Sequence, residues 1–388
     1  MTHQTIIEQE RKYRDVLDAF FHKFSDQLAY LELKPGHGKI GSLDLSHVPL
    51  PVQLSDFSNR LEQWQEEIRY QDFIKGILWN LGIDPDFKYM NQYLDLIQGQ
   101  VKEPDRLALF LGDETLKKEL QQGKGSGEAL VFYRAALLLN PSNRLARTRF
   151  GQFLWQQDFG ENQDAMNRLA SMELETVLNQ DEENLEALVA LGYLNERMGH
   201  FLKARSYYRF ALSHASQPEQ EEELRRSLER IQDDAAIEDA IYFIQRADYG
   251  KAMEALMEVK PVSRRYDVDY YLGLCYQNQG NYEAAAEAYQ SALQRGGDFA
   301  DLYNNMVYCQ NLLDLPDRAL QTASQGIKDH PADLRLHYNR AVLLAEKENW
   351  KEALEDVDFL LGYDDLSDEF YSQAMELRTE IQRRQAEK

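Results

Sequence analysis

The sequence is poor in cysteine and proline, short of basic charge, and without long apolar runs. Two cysteines, Cys275 and Cys309, stand among 388 residues, too few for the disulfide framework of a small secreted scaffold. Only 10 prolines interrupt the chain, which suits a mostly helical fold. No apolar run approaches the roughly 18 residues of a membrane-crossing helix. The stretch from Met1 to Arg11 is polar and has no signal-peptide core, so the expectation is a cytoplasmic protein with no membrane partner. Lys and Arg number 43 against 66 Asp and Glu, a net charge of −23. Such a surface repels phosphate backbones, so nucleic acid is not an expected partner. Acidic clusters at Asp181–Glu183, Glu219–Glu223 and Asp364–Asp365 fall at expected turns or helix starts and read as solvated surface.

Catalytic and cofactor signals are equally scarce. The 8 histidines are scattered and none stands at metal-ligand spacing from Cys, Asp or Glu. No Ser or Cys sits in a nucleophile-elbow context. Gly36 to Gly41 matches G-x-G-x-x-G, but it follows a helical stripe, whereas a dinucleotide site follows a strand and opens a helix. The glycine-rich run Gly123–Gly127 lacks phosphate-loop spacing and reads as a linker. The expectation is therefore no catalytic residue, no cofactor and no metal.

What the sequence does hold is a period. Gly273, Val307 and Ala341 stand 34 residues apart, as do Ala285, Ala319 and Ala353, and again Ala292, Gly326 and Leu360. A fixed period of this size marks stacked supersecondary units. In the first unit Leu272, Tyr276 and Gln279 share one helical face. Gly280 and Asn281 break the helix, and Tyr282, Ala285, Tyr289, Ala292 and Leu293 resume a second face. Two helices joined by a short turn form an antiparallel pair. Small residues such as Gly273 and Ala285 fall where the helices cross closely. Cys275 and Cys309 hold one repeat position and read as buried, free thiols.

The run from Tyr271 to Leu293 resembles a tetratricopeptide repeat (TPR). The resemblance implies an all-α fold: a right-handed α-solenoid of helix pairs. Regular units occupy 266–299, 300–333 and 334–365, within an array of about seven pairs over residues 102–365. Residues 366–388 read as a C-terminal capping helix with a wet outer face.

Residues 1–101 lack the repeat and read as an N-terminal helical domain docked on the array. Tyr13, Leu17, Phe20, Phe24, Leu28 and Leu31 predict one amphipathic helix ending near Lys34, followed by a loop. Leu54, Phe57, Leu61, Trp64 and Ile68 predict a second helix continuing to about Leu81. Asp84 and Pro85 look like the start of a third, with Phe87, Met90, Leu94, Ile97 and Val101 on its stripe.

In TPR arrays the first helices line a concave groove, so the resemblance implies a site there for a protein or extended peptide. The candidates are Tyr270, Leu274, Gln277 and Asn278 in the first regular unit, Asn304, Asn305, Tyr308 and Asn311 in the second, and Arg335, Tyr338 and Asn339 in the third. Asparagine amides carry donors and acceptors for a peptide backbone, and tyrosine offers stacking area with a polar tip. TPR proteins that clamp chaperone C-terminal tails use five groove residues. Only Asn305 and Arg335 fit that pattern, while Tyr270, Leu274 and Asn339 depart from it. The expected function is a non-catalytic scaffold or adaptor. The alternatives are a peptide-sensing regulator with the layout of bacterial Rap-type proteins, a co-chaperone, or an enzyme with its site in residues 1–101.

Overall fold

The computed structural model describes residues 13–32, 39–40, 43–45, 47–54, 70–123, 125, 127–363 and 365–387. The division between two units of the chain falls between Ser227 and Leu228.

The first unit opens with α1 (Arg14–His22) and a 3-10 turn at Ser25–Gln27. Four short strands follow: β1 (Leu28–Leu31), β2 (Lys39–Ile40), β3 (Leu43–Asp44) and β4 (Leu50–Gln53). β1 pairs antiparallel with β4, and β2 with β3. This corrects the single helix read from Tyr13 to Leu31, because Leu28 and Leu31 lie on a strand. The reason is long-range. β4 is buried along its whole length, so its backbone needs a ladder partner, and β1 supplies it. Helix α2 (Tyr70–Ile83) lies directly on β4. A Cβ on Gly76 would fall under 3.0 Å from the Pro51 carbonyl, so glycine permits the approach.

Of the second stripe, Phe57 to Ile68 lie outside the described residues. The third helix, α3 (Met90–Gln100), starts later than Asp84-Pro85 suggested. Asp84 instead accepts the backbone N–H of Asp86 at 3.1 Å, closing a local turn.

Three helix pairs complete this unit: α4 (Pro104–Gln121) with α5 (Gly127–Leu139), α6 (Arg144–Leu154) with α7 (Gln163–Leu178), and α8 (Leu185–Arg197) with α9 (Phe201–His214). One core joins α1 and α2 to these pairs. The Trp79 ring meets Phe132 edge-on at 5.1 Å, and Phe20 meets Phe159 at 4.8 Å. The acidic stretch after Pro218 is itself a helix, α10 (Pro218–Arg230).

The second unit holds α11 (Gln232–Ile244) with α12 (Tyr249–Val259), and then the three regular pairs. These are α13 (Tyr266–Asn278) with α14 (Tyr282–Gln294), α15 (Ala300–Leu312) with α16 (Pro316–Asp329), and α17 (Leu334–Glu346) with α18 (Trp350–Leu361). Helix α19 (Asp368–Ala386) closes it. Caps set the starts: Asp248, Asn281, Asp333 and Ser367 each accept a backbone N–H from three residues on. The turn inside each pair needs one left-handed residue. Gly280 takes φ 78° there, and Ala247, Asp314 and Glu348 take 57°, 57° and 64°.

Within the pairs, volumes are exchanged across the crossing. A Cβ on Gly273 would lie under 3.0 Å from the Tyr289 ring. The equivalent residues in the next two units are Val307 with Ala323 and Ala341 with Val357, all buried. Each first helix thus offers the size its own second helix leaves open.

Candidate functional site

The first helices α13, α15 and α17 are joined side by side through their polar residues. Asn305 Nδ2 donates to the Tyr270 hydroxyl at 3.5 Å. Asn304 Nδ2 donates to Asp333 Oδ1 at 3.0 Å and to the Ala300 carbonyl at 3.1 Å. Asn339 Nδ2 donates to Asn304 Oδ1 at 2.8 Å. The same Asp333 carboxylate caps α17 by accepting the Leu336 N–H at 2.9 Å. Asn304 is buried with both amide atoms engaged, so it holds the face together.

Other candidates are also used inside the unit. Leu274 packs on the core around Tyr289 and Leu302. Gln277 Oε1 accepts from the Tyr289 hydroxyl at 2.7 Å. The Tyr270 ring meets Phe299 edge-on at 4.8 Å. Burial first, and then the nearby Asp301 charge, push the Tyr270 hydroxyl up to about 12. Asn278 is exposed, but it accepts from the Tyr249 hydroxyl at 3.1 Å and donates to the Leu274 carbonyl at 2.8 Å. Arg335 is exposed and ion-paired with Asp301, with Asp333 at 3.8 Å. The Asp301 hydrogen bond holds the guanidinium above its ordinary value.

Two candidates, Tyr308 and Asn311, are exposed, and Tyr308 is tied only to Tyr282 of its neighbouring helix. Tyr308 is 49% exposed, its ring edge-on to Tyr282 at 6.1 Å, and Asn311 lies on the same face of α15 one turn on. Tyr338 is half-buried, 5.6 Å from the Phe370 ring of α19. Beyond it a cleft of about 550 Å³ opens between the starts of α17 and α19, lined by Arg335, Leu334, Leu366, Phe370 and Gln373. Sequence reading missed Asp301 and Asp333, whose spacing from Arg335 and Asn304 points to the same face only once the repeat register is applied to acidic residues.

Cys275 and Cys309 are free and buried. Burial pushes their thiols up to about 11 and about 12, far from a nucleophilic thiolate. Among the described residues no group of three or more His, Cys, Asp or Glu side chains is placed to hold a metal ion. Among them, too, no helix is long and apolar enough to cross a membrane.

Residues 240–300 and 313–358 match the tetratricopeptide repeat family. The chain therefore carries tetratricopeptide repeats, and apart from the short strands between residues 28 and 53 its fold is an α-solenoid of helix pairs. No curated protein matches the chain. Among solved structures, a tetratricopeptide repeat protein from Parabacteroides merdae is 14% identical. That match covers 70% of this chain and 99% of the other, with a TM-score of 0.33. PilF of Pseudomonas aeruginosa is 18% identical, covering 60% and 94%, with a TM-score of 0.32. The type IV pilus biogenesis factor PilW is 14% identical, covering 60% and 98%, with a TM-score of 0.36. Repeats of this kind serve protein–protein interaction in general.

Proposed function

We propose that this chain is a non-catalytic scaffold that binds a protein or peptide along the first helices of residues 270–339, in the concave groove that such repeats form. The observation that supports this best is the contrast within one face. Asn304, Asn339, Asn305 and Tyr270 tie three helices together, while Tyr308 and Asn311 stand exposed on that braced platform. A preorganised face loses little freedom on binding, and exposed tyrosine is a favoured anchor residue. Arg335 is neutralised by Asp301 and Asp333, which favours recognition of peptide backbone and side chains over capture of a terminal carboxylate. Two buried, unpaired thiols suit the reducing cytoplasm as the place of action.

Photo-crosslinking tests the reading. A photoreactive residue at position 308 or 311 should give partner adducts in native extract, and one at Glu355, exposed on α18, should not. The variant Tyr308→Ala with Asn311→Ala should lose the partner while its melting temperature holds. Equal adducts from all three positions, or full capture by the variant, would place binding elsewhere.

A further inference from the structure

The second helices α14 and α16 border a cleft of about 870 Å³, floored by α15. Met306 and Gln310 form the floor, with Leu293, Leu313 and Leu315 beside them. Gln310 is only 5% exposed, and its side-chain Oε1 meets no hydrogen-bond donor among the described residues. The same repeat position holds Tyr276 in the preceding unit and Leu344 in the following one, and both pack on apolar clusters. An amide therefore stands where its repeat equivalents are core side chains. A buried amide oxygen without a donor is costly to keep; this one has almost no exposed surface, so a donor from the cleft reaches it only as the Gln310 side chain turns outward.

The walls carry charge that the chain leaves unmatched. Glu283 and Glu287 stand one turn apart on the α14 wall, and Arg318 stands on the α16 wall. None of the three has an ion pair within the described residues. The trough thus has leucines at its edge, a buried acceptor at its floor, two glutamates on one wall and one arginine on the other. The α14 wall runs from Glu283 to Gln294, a length that suits about three turns of helix.

We infer that this cleft docks an amphipathic helix from a partner protein. Its apolar stripe lies on Leu313 and Leu315, and one side-chain donor meets Gln310. Lysine or arginine lines the α14 flank, and a carboxylate faces Arg318. Such helices are read through anchors at successive turns. The site lies among second helices and is separate from the first-helix face proposed above.

The test is display selection on the full chain, using helix-biased peptides of about three turns randomised at the stripe and both flanks. Enriched peptides should carry Lys or Arg on one flank only. They should bind both Gln310→Leu and the double variant Glu283→Gln with Glu287→Gln about tenfold more weakly, which is about 1.4 kcal/mol. Binding to Tyr308→Ala should be unchanged. The glutamates are on the surface, so that arm still decides the matter should Gln310→Leu misfold. Failure to enrich any peptide, peptides indifferent to the glutamate variant, or peptides lost on Tyr308→Ala would overturn the inference. So would a dimer of this chain that the glutamate variant dissociates, since the occupant would then be a second copy.

Discussion

The phenol ring of Tyr289 fills the space that a side chain on Gly273 would need. Its hydroxyl then reaches Gln277, one turn beyond the glycine on α13. Gly192 and Tyr208 repeat the arrangement in the first unit of the chain, with Glu196 accepting the hydroxyl at 2.8 Å. Glycine, ring and acceptor form one device: the close crossing admits the ring, and the acceptor satisfies its buried hydroxyl.

Gly273→Val should cost about 1–3 kcal/mol, as overpacking generally does. Adding Tyr289→Ala copies the Val307 and Ala323 pair of the next unit. The double variant should therefore lose less than the sum of the two single losses. Urea unfolding of all four proteins gives the coupling, and strict additivity would sink the pairing.

Asn304→Ala leaves the Asp333 carboxylate and the Asn339 amide each short of a partner. A loss of about 1–2 kcal/mol follows from the broken hydrogen bonds of these part-buried groups. Tyr308→Ala, on the same helix but exposed, should stay within about 0.5 kcal/mol of wild type. Denaturation midpoints that rank the two the other way would refute the division of this face into bracing and exposed residues.

That division shows where sequence reading stopped. The repeat register put Asn304, Tyr308 and Asn339 on one face, since a period of 34 needs no tertiary information. It could not separate the buried amide from the exposed ring. Asn304 is engaged by Asp333 and Asn339, which lie 29 and 35 residues away. The N-terminal strands escaped for a related reason. Leu28 and Leu31 continue a helical spacing from Tyr13, and only pairing with β4, far along the chain, makes them a strand. Gln310 was readable in principle, as the polar residue between Tyr276 and Leu344 in register. Its unpartnered oxygen became visible only with the cleft around it.

Asp356 gives a pH signature. Burial alone pushes its carboxyl up, but hydrogen bonds from Arg340 at 2.7 and 2.6 Å and from His337 at 2.8 Å more than reverse this, and its pKa lies below the ordinary 3.8. A carboxyl held low in the fold stabilises it above its unfolded value, and the contribution fades as pH falls through the folded value. Asp356→Asn should therefore cost about 3 kcal/mol at pH 7, the scale of a broken buried pair. The gap from wild type should narrow below about pH 4. Melting temperatures across pH 2–7 test this, and a constant gap would contradict it.

Ala247 carries φ 57° at the turn where Gly280 sits in the first regular unit. A left-handed alanine costs about 1–2 kcal/mol that glycine avoids, against a larger entropy loss for glycine on folding. Ala247→Gly should raise stability by about 0.5 kcal/mol or more, read as a higher urea midpoint at unchanged slope. A lower midpoint would mean that the alanine methyl group makes contacts worth more than the strain.

The exchange of volumes across the three regular crossings bears on how the chain avoids folding out of step. Self-similar neighbours invite a helix to pair with the wrong mate, a characteristic failure of repeat proteins. Were α15 to seize α14, Val307 would be driven against Tyr289. Were α13 to seize α16, Gly273 would face Ala323 across a void. One error is a clash and the other a cavity, so each first helix rejects its neighbour's mate on volume alone.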